Sequence, residues 1–496
     1  MPPKLQIPRT SEILNKGLFI WIACAVMVIV SPLLVPHPIQ AQSQSEPSAP
    51  PNVLFLIVDD LNTWLLEDAD RYSGRVVAPN IKGLAESGVN FVSAYTASPV
   101  CTPSRTAVLS GIAPWRSGIY NNGYPTDASL VIRDSISLPG LFRQAGYYTA
   151  GSGKVSHGYK IPKSDWDDFF NQFKDPKPPN VPLNGWAADK TGRVLTADWG
   201  PYHLPKEEIN DWKFADFAIE QLQKEHTQPF FITCGIFRPH NPWYVPQEYL
   251  DLYPLDEIVI PEILESDLED VAPKAQRLVQ RMSFLPEIRE RGLHKEGIQA
   301  YLAATTFADE QIGRVLDGLE ASPYRDNTIV VLWSDHGWHL GEKLHWKKAT
   351  LWEESTHSLL MIRVPGLTSA GQVSEQFVSL LDIYPTLTEL AGVEPPEGQL
   401  DGTSLVPLLR NPAEPTPSRA ISAFDSDISI RTERYRYIRY STGFEEFYDC
   451  VRDPYEWTNQ IDNPEYKEAI EELRKRVPSP SEMAPEAGKK KGRSQT

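Results

Sequence analysis

The residues that first suggest chemistry lie in the stretch SPVCTPSRTAVLSG at positions 98–111. It contains Cys101, one of only four cysteines in this 496-residue chain, and Arg105 four positions later. Pro103 is tolerated in the first turn of a helix, and such a helix would end near Gly111. Residues four apart share a helix face, and the free N–H groups at a helix start favour an anion. The stretch predicts a cysteine beside an anion site, although a small residue buried at a turn is the commoner role of a cysteine.

Two apolar runs end in acidic residues. NVLFLIVDD ends in Asp59 and Asp60, and VVLWSDHGWHLGE carries Asp335 and His336 directly after its apolar part. Adjacent carboxylates in a partly buried site repel each other unless a cation neutralises them, and a hard divalent ion is the natural partner. A lone pair of aspartates is more often a solvated strand end. Two such strand ends offer three carboxylates and a further donor to one ion, which predicts a metal site.

Three further segments carry cationic side chains. GSGKVSHG contains Lys154 and His157, FRPHNPW contains His240, and LHWKKATLWEES contains Lys347 and Lys348. Each segment alone is more typical of an ordinary surface. Together they predict a cation-rich site around one small anion.

The elements that must position these residues alternate along the chain. Apolar runs that predict buried strands are NVLFLIVDD, YYTAGSGK, PFFITCGIFRPH and NTIVVLWSDHG. Helical patterns between them are IKGLAESG, LPGLFRQAG, DWKFADFAIEQLQKE and GIQAYLAATTFADEQIGRVLDGLEAS. This alternation predicts an α/β sandwich, in which a ligand site gathers at the carboxyl ends of the strands.

The chain divides into four segments. Residues 1–41 predict a signal peptide, or an uncleaved anchor, because basic residues precede the apolar run GLFIWIACAVMVIVSPLLV. Residues 51–410 form the predicted catalytic domain, and a Pro-rich break at 409–420 precedes a C-terminal subdomain at 420–478. That subdomain predicts a small antiparallel sheet and then a helix in PEYKEAIEELRKRV. Residues 479–496 have the composition of a disordered tail.

Charge and cysteine content limit the function classes. The formal net charge of −17 argues against a nucleic-acid binder. A signal peptide implies an exported protein, periplasmic or secreted, with no stable membrane association once it is cleaved. Export leaves Cys101, Cys234 and Cys450, an odd number, so at least one is unpaired. Cys234 and Cys450 are either paired with each other or separately buried.

These segments resemble the signatures of the type I, formylglycine-dependent sulfatases. CTPSRTAVLSG matches the family's Cys-x-Pro-x-Arg signature, and GSGKVSHG is similar to the second signature. The VDD, RPHNP and SDHG segments and the lysine before LWEES follow in the family's order, with the spacing favouring Lys348 over Lys347. EEFYDCVRDPYEWTNQ resembles a late family segment, so the resemblance spans residues 51–460. Asp-His-Gly and Lys-x-x-His are most similar to the iduronate-2-sulfatase-like group.

The resemblance implies an alkaline-phosphatase-like α/β sandwich. A large, mostly parallel central sheet would be covered by helices on both faces, and a small C-terminal α+β subdomain would carry an antiparallel sheet. It also implies that a formylglycine-generating enzyme converts Cys101 to formylglycine, whose hydrate attacks sulfur. Together with the modified Cys101, four residues would surround one Ca²⁺ ion: Asp59, Asp60, Asp335 and His336.

The resemblance assigns roles to five further residues. Arg105 would stabilise the hydrated aldehyde, and Lys154 and Lys348 would bind sulfate oxygens. Lys348 and His240 would be proton donors to the leaving alcohol, and His157 would accept the proton of the diol.

Three functions are compatible with this site. Hydrolysis of sulfate esters is expected, on a sulfated carbohydrate such as a 2-O-sulfated uronate or a related polysaccharide unit. The alternative is a phosphonate monoester or phosphodiester hydrolase of the same superfamily. A glycan-binding protein without activity should have lost part of the catalytic set, and no expected position is missing. Specificity is expected to depend on the insertions at residues 175–203 and 252–282.

Overall fold

A computed structural model of the chain describes residues 49–66, 71–123, 126–157, 162–171, 183–184, 198–417 and 420–487. The predicted signal peptide and most of the insertion at 175–203 lie outside the described residues. Within these ranges, no helix combines the length and the apolar character that a membrane crossing needs.

The strands are β1 Asn52–Val58, β2 Val89–Phe91, β3 Ala94–Tyr95, β4 Tyr148–Gly153, β5 Asp168–Phe170, β6 Trp199–Pro201, β7 Phe230–Ile236, β8 Trp243–Val245, β9 Thr328–Ser334, β10 His339–Leu340, β11 Trp346–Lys347, β12 His357–Ser358, β13 Leu360–Arg363, β14 Gln372–Ser374, β15 Val378–Ser379, β16 Ala420–Phe424, β17 Asp427–Arg431, β18 Tyr435–Arg439 and β19 Glu445–Asp449. The α-helices are α1 Pro79–Ser87, α2 Cys101–Ser110, α3 Pro114–Ser117, α4 Leu130–Arg133, α5 Leu138–Gln144, α6 Asn210–Gln223, α7 Gln247–Leu250, α8 Pro273–Met282, α9 Leu285–Glu290, α10 His294–Glu320, α11 Glu353–Thr356, α12 Ile383–Ala391, α13 Val406–Arg410 and α14 Lys467–Arg476. The four predicted strands are β1, β4, β7 and β9, and the predicted helical patterns correspond to α1, α5, α6, α10 and α14.

The central sheet has eight strands in the order β14-β2-β13-β9-β1-β7-β4-β5. Strands β9, β1, β7, β4 and β5 are parallel, and β13 runs antiparallel to its neighbours β9 and β2. The prediction of a large, mostly parallel sheet is therefore confirmed.

Alternate residues of β1 belong to two different layers. Val53, Phe55 and Ile57 pack in a core that includes side chains of α2, α5, α12 and α13. Leu54, Leu56 and Val58 pack in a second core with α1, α6 and α10. Every residue of β1 is buried, which explains why the run is apolar without alternation. The helices thus cover both faces of the sheet, as predicted.

The C-terminal strands form the predicted antiparallel sheet, in the order β16-β17-β18-β19. Tyr437 and Phe447 pack in one cluster with Ile470 of α14. Ile438 belongs to another cluster that includes α8 side chains and Trp352. Residues from Pro50 onward form one compact unit, so this small sheet supports the chain segment around position 352.

Part of the segment expected to be a tail is described. The backbone N–H groups of Ala484 and Ala487 donate to the carbonyls of Trp115 and Gly118. Residues 488–496 lie outside the described residues. Cys101, Cys234 and Cys450 are each free and buried, so of the two alternatives for Cys234 and Cys450, separate burial is confirmed.

Candidate active site

The strand register brings the acidic segments together. Val58, the last residue of β1, lies opposite Ser334 of β9 and Ile236 of β7. The residues that follow, Asp59 and Asp335, therefore leave the sheet side by side. Asp59, Asp60 and Asp335 are each 0% exposed. Three carboxylates without solvent need counter-charges nearby.

Arg105 supplies two of these counter-charge contacts from helix α2. Its Nη2 donates to Asp59 Oδ1 at 2.8 Å and its Nε to Asp335 Oδ2 at 2.9 Å. The same guanidinium donates to the carbonyl groups of Lys154 and Val155. Burial lowers the pKa of Arg105, but the Asp335 and Asp59 carboxylates outweigh burial and raise that pKa above its ordinary value. Arg105 thus joins the ends of β1, β9 and β4 and is itself buried, at 1% exposure.

Helix α2 begins at Cys101 and ends at Ser110, with Gly111 in the left-handed conformation at φ 70°. The predicted helix and its end are therefore confirmed, and Cys101 and Arg105 reach the same cluster. The N-cap residue Val100 has no capping side chain. The Thr102 N–H instead donates to Asn122 Oδ1 at 2.7 Å.

The Cys101 thiol is fully buried among cationic groups. Its Sγ lies 3.0 Å from Lys348 Nζ, 3.4 Å from His336 Nε2 and 3.8 Å from Lys154 Nζ. Burial alone would raise the pKa of the thiol. The two ammonium groups, His336 and a hydrogen bond from His157 instead hold the pKa well below its usual value. The position therefore stabilises negative charge through Lys154, Lys348 and His336, whereas Arg105, the cation expected from the sequence, is bonded to Asp59 and Asp335 instead.

Asp60 adopts a left-handed backbone conformation, with φ 61°. This conformation is costly for a residue other than glycine and persists only where its surroundings fix it. Tyr301 of α10 does so, since its hydroxyl donates to the Asp60 carbonyl at 2.9 Å and accepts from the Asn62 N–H at 2.8 Å. The Asp60 N–H also donates to Asp335 Oδ1 at 3.0 Å. The turn directs the Asp60 carboxylate towards the thiol, with Cys101 Sγ 3.9 Å from Asp60 Oδ1.

Lys154 and His157 follow β4. Lys154 Nζ forms an ion pair with Asp59 Oδ2. Gly153 has φ 72°, and a Cβ placed on it would lie 2.1 Å from the carbonyl oxygen of Gly235 on β7. The glycine is therefore needed for close approach to the neighbouring strand. His157 faces the thiol, and its Nδ1 is buried with no hydrogen-bond partner within the described ranges.

Lys348 follows a tight hairpin formed by β10 and β11. Its Nζ lies 2.5 Å from Asp60 Oδ1. Burial lowers the pKa of Lys348, but the Asp60 carboxylate and the negative groups around it outweigh burial and raise that pKa. Lys343, Leu344, Lys347 and Ala349 all have positive φ angles, of 54°, 50°, 154° and 75°. Four non-glycine residues in this segment indicate strain that the surrounding structure must hold.

The C-terminal subdomain holds this strained segment in place. Lys343 Nζ pairs with Asp267 at 2.7 Å and donates to the carbonyl of Glu456. The Glu456 carboxylate accepts from the Glu353 N–H at 3.0 Å and from the buried Arg436 guanidinium. Arg436 in turn pairs with Glu353. The late segment DPYEW thus contributes to the site by fixing the segment after Lys348.

His240 and His336 complete the cluster. His240 is partly exposed, with an 18% accessible side chain, and its Nε2 lies 3.8 Å from Asp60 Oδ2. His336 is fully buried, and its Nδ1 lies 3.0 Å from the Gly337 carbonyl. Burial favours neutral His336, but the neighbouring Asp335 carboxylate dominates and raises the pKa of His336 to about 9. His240 is thus the histidine at the solvent side of the site.

The donor set fits a divalent cation. Asp60, Cys101, Asp335 and His336 offer ligand atoms within 4.8 Å of one another, and Asp59, Asp60 and His240 form a second such group. Asp60 Oδ2 is buried without a hydrogen-bond partner among the described residues, which is costly unless a cation or water meets it. Both oxygens of Asp59 are already bonded to Arg105 and Lys154, so Asp60 offers the open position.

The structure brings together every predicted site residue: Asp59, Asp60, Cys101, Arg105, Lys154, His157, His240, Asp335, His336 and Lys348. Sequence reasoning missed Tyr301, Trp338 and Asn122. The ring of Trp338 lies 5.5 Å from Lys348 Nζ, and its place beside Asp335 and His336 in SDHGW was an available signal. Tyr301 and Asn122 carried none, because each reaches the site from a distant chain position.

Solved structures of the same architecture define the class of fold. Phosphonate monoester hydrolase from Silicibacter pomeroyi matches with a TM-score of 0.70 at 23% identity, covering 86% of this chain and 94% of that chain. The fold is therefore alkaline-phosphatase-like, as predicted from the resemblance.

Sequence comparison then gives the family. The model described as Sulfatase matches residues 51–393, and the model described as N-sulphoglucosamine sulphohydrolase, C-terminal, matches residues 341–482. The chain belongs to the sulfatase family, and it is a sulfuric ester hydrolase. A sulfatase of Formosa agariphila is 36% identical over 444 residues, covering 86% of each chain. Iduronate 2-sulfatase of Mus musculus is 29% identical over 393 residues, which are 70% of this chain and 69% of the relative.

Proposed function

We propose that the enzyme hydrolyses a sulfate ester on a carbohydrate, such as a 2-O-sulfated uronate unit, and that position 101 carries the reactive group. The observation that supports this most is the environment of the Cys101 thiol, with Lys348, His336 and Lys154 within 3.8 Å. A sulfate-sized anion at this point would meet positive charge from several sides. The similarity to iduronate 2-sulfatase supports the choice of a sulfated uronate.

Cys101 would be converted to formylglycine by a formylglycine-generating enzyme before the protein acts. As a hydrate, this group supplies one hydroxyl that attacks sulfur and a second that expels sulfate on losing its proton. His157 would accept that proton, and its hydrogen bond with the side chain at position 101 supports this role. The buried setting would keep bulk water away from the reacting group.

One Ca²⁺ ion would be held by Asp59, Asp60, Asp335 and His336 together with the side chain at position 101. When bound, the ion would polarise a sulfate oxygen. The oxygen-rich donor set and the unpartnered Asp60 Oδ2 support this assignment. His336 would bind the ion through a neutral ring nitrogen.

The remaining cations would bind the ester and complete the transfer of protons. Lys154 and Lys348 would bind sulfate oxygens, and Arg105 would fix the geometry of the carboxylates around the reacting group. His240 would protonate the departing alcohol of the sugar, and its partial exposure beside Asp60 supports this role. Lys348 is the second candidate for this proton transfer.

Turnover of paired substrates tests the reaction. The enzyme should release sulfate from an aryl sulfate and from sulfated saccharides, with a much lower kcat/KM for the matching aryl phosphonate. A much higher kcat/KM for the aryl phosphonate would refute the proposed sulfatase activity and favour the alternative, a phosphonate monoester hydrolase.

The modified cysteine has its own test. Mass spectrometry of the peptide that contains Cys101, isolated from the native host, should show an aldehyde or its hydrate in place of the thiol. Cys101→Ala should abolish turnover while changing the unfolding midpoint little. An unmodified thiol in fully active enzyme would contradict this mechanism. Cleavage of the protein after Ala41 would accompany export and is read from the N-terminus of the same sample.

A further inference from the structure

Lys347 is a cation beside the active site that the proposed reaction does not use. It precedes Lys348 in the chain and closes strand β11, where it pairs with His339 of β10. Its side chain is partly exposed, whereas Lys348 is buried. The Lys347 ammonium lies 5.3 Å from the ring centroid of Phe284, in the link between α8 and α9. Lys347 therefore contacts the short link that directly follows the insertion at residues 252–282.

The Lys347 ammonium has no acidic partner among the described residues, since no carboxylate there forms an ion pair with it. Its pKa is lowered by partial burial and by the neighbouring Lys348 ammonium, while Asp60 and Cys101 act in the opposite direction. A cation held beside a second cation and against an aromatic ring is costly unless an anion binds there.

We propose that Lys347 forms a subsite for a second anionic group on the saccharide that carries the scissile sulfate ester. This inference rests on the proposed function and names the substrate class more closely, as a saccharide with at least two negative charges. The second group is a carboxylate of a uronate or a further sulfate, since an ammonium binds either one.

The chain geometry suits two anions of one sugar unit. The Lys347 ammonium lies within electrostatic range of Lys348, Asp60 and Cys101, so the two ammonium groups can meet substituents of the same ring or of adjacent rings. Lys348 lies 3.0 Å from the thiol of Cys101, so it would take the ester sulfate. Lys347, nearer to solvent and supported by Phe284, would take the second group.

Binding to a protein that cannot turn over tests the proposal directly. In a Cys101→Ala background, isothermal titration compares a methyl hexuronide 2-sulfate, a disulfated hexosamine and a neutral methyl hexoside monosulfate. Lys347→Met keeps the apolar stem and removes the charge. It should weaken binding of the hexuronide, the disulfate or both by at least tenfold, and binding of the neutral-sugar monosulfate by less than twofold. Whichever probe loses affinity identifies the second group as carboxylate or sulfate.

A matched control removes a lysine charge elsewhere. Lys467 is an exposed residue of helix α14, and Lys467→Met should leave all three affinities unchanged. Equal losses for the doubly and singly charged probes in Lys347→Met, or no measurable binding of either doubly charged probe, would overturn the proposal.

Kinetics separate this proposal from the proposed function. In the enzyme with Cys101 intact, Lys347→Met should raise KM for a doubly charged ester about tenfold and leave kcat within about twofold. If the enzyme hydrolyses sulfate esters and Lys347→Met changes KM equally for singly and doubly charged esters, the subsite is refuted and the sulfatase mechanism stands. Selective loss of affinity in a protein that hydrolyses no sulfate ester would keep the subsite and remove the mechanism.

Discussion

His345 contacts the backbone of Lys348 from a buried position. Its ring is 0% exposed, and Nε2 lies 3.0 Å from the carbonyl oxygen of Lys348. Its Nδ1 is buried and has no hydrogen-bond partner in the described part of the chain, so a proton there would meet no acceptor. Burial, with a contribution from the Lys347 ammonium, lowers the pKa of His345 to about 4.

The lowered pKa makes the folded state sensitive to acid. The unfolded chain binds a proton at His345 with the ordinary pKa of 6.5, whereas the folded chain does so only near 4. The contribution of neutral, buried His345 to the free energy of unfolding is complete above about pH 6.5. It is lost as the pH falls towards about 4, because only the unfolded state gains a proton between these two values. A shift of this size corresponds to about 3 kcal/mol of the free energy of unfolding.

His345→Gln tests this magnitude. Glutamine keeps an N–H donor for the Lys348 carbonyl and does not titrate. Urea unfolding followed by tryptophan fluorescence gives the free energy of unfolding at about pH 7, 5.5 and 4. Other groups also titrate in this range, so the difference between wild type and variant is the informative quantity. It should shift by about 3 kcal/mol in favour of the variant between about pH 7 and pH 4.

An exposed histidine provides the matched control. His203 lies on the surface, and His203→Gln should leave the pH dependence of wild type unchanged. Parallel profiles for wild type and His345→Gln would refute the claim that burial of His345 makes the hairpin acid-sensitive.

Three further perturbations test the supports of the site. Gly153→Ala places a Cβ 2.1 Å from the Gly235 carbonyl and should lower the free energy of unfolding by about 3 kcal/mol or more, whereas Gly366→Ala, with positive φ but open space, should cost about 1 kcal/mol. Glu456→Gln leaves buried Arg436 without its full charge partner, so it should lower the free energy of unfolding in urea by about 3 kcal/mol and lower kcat. An unchanged free energy of unfolding would contradict the claim that Glu456 holds the segment around Lys348. Tyr301→Phe removes both hydrogen bonds to the turn at Asp60, so a loss of about 1–2 kcal/mol and several-fold weaker Ca²⁺ binding by isothermal titration are expected; unaltered Ca²⁺ affinity would show that the turn holds its shape without Tyr301.

Local patterns were enough to predict most of the site. Asp59, Asp60 and Asp335 could be predicted to lie together because they follow two apolar runs typical of buried strands, and parallel strands end at one edge of a sheet. The helix from Cys101 to Ser110 could be predicted from Pro103 in its first turn and from Gly111 directly after its end. These signals depend on residues close together in the chain.

Contacts between distant residues could not be predicted in the same way. Tyr301 is 241 positions from Asp60, whose carbonyl it binds, and Glu456 is 103 positions from the Glu353 backbone that it holds. Nothing in the periodicity of α10 distinguishes Tyr301 from an ordinary core tyrosine. The positive φ angles around Lys348 were equally hidden, since no glycine in KLHWKKA signals them.

The sequence by itself predicted the α/β sandwich and the order of its elements, because those follow from apolar periodicity. The resemblance of its motifs to the sulfatase signatures implied which residues would react. Only the tertiary structure decided which carboxylate oxygen stays open, which lysine is engaged and which is free of acidic partners among the described residues. Those properties arise from distances between side chains on different elements, and electrostatic free energies depend on such distances and on burial rather than on position in the chain.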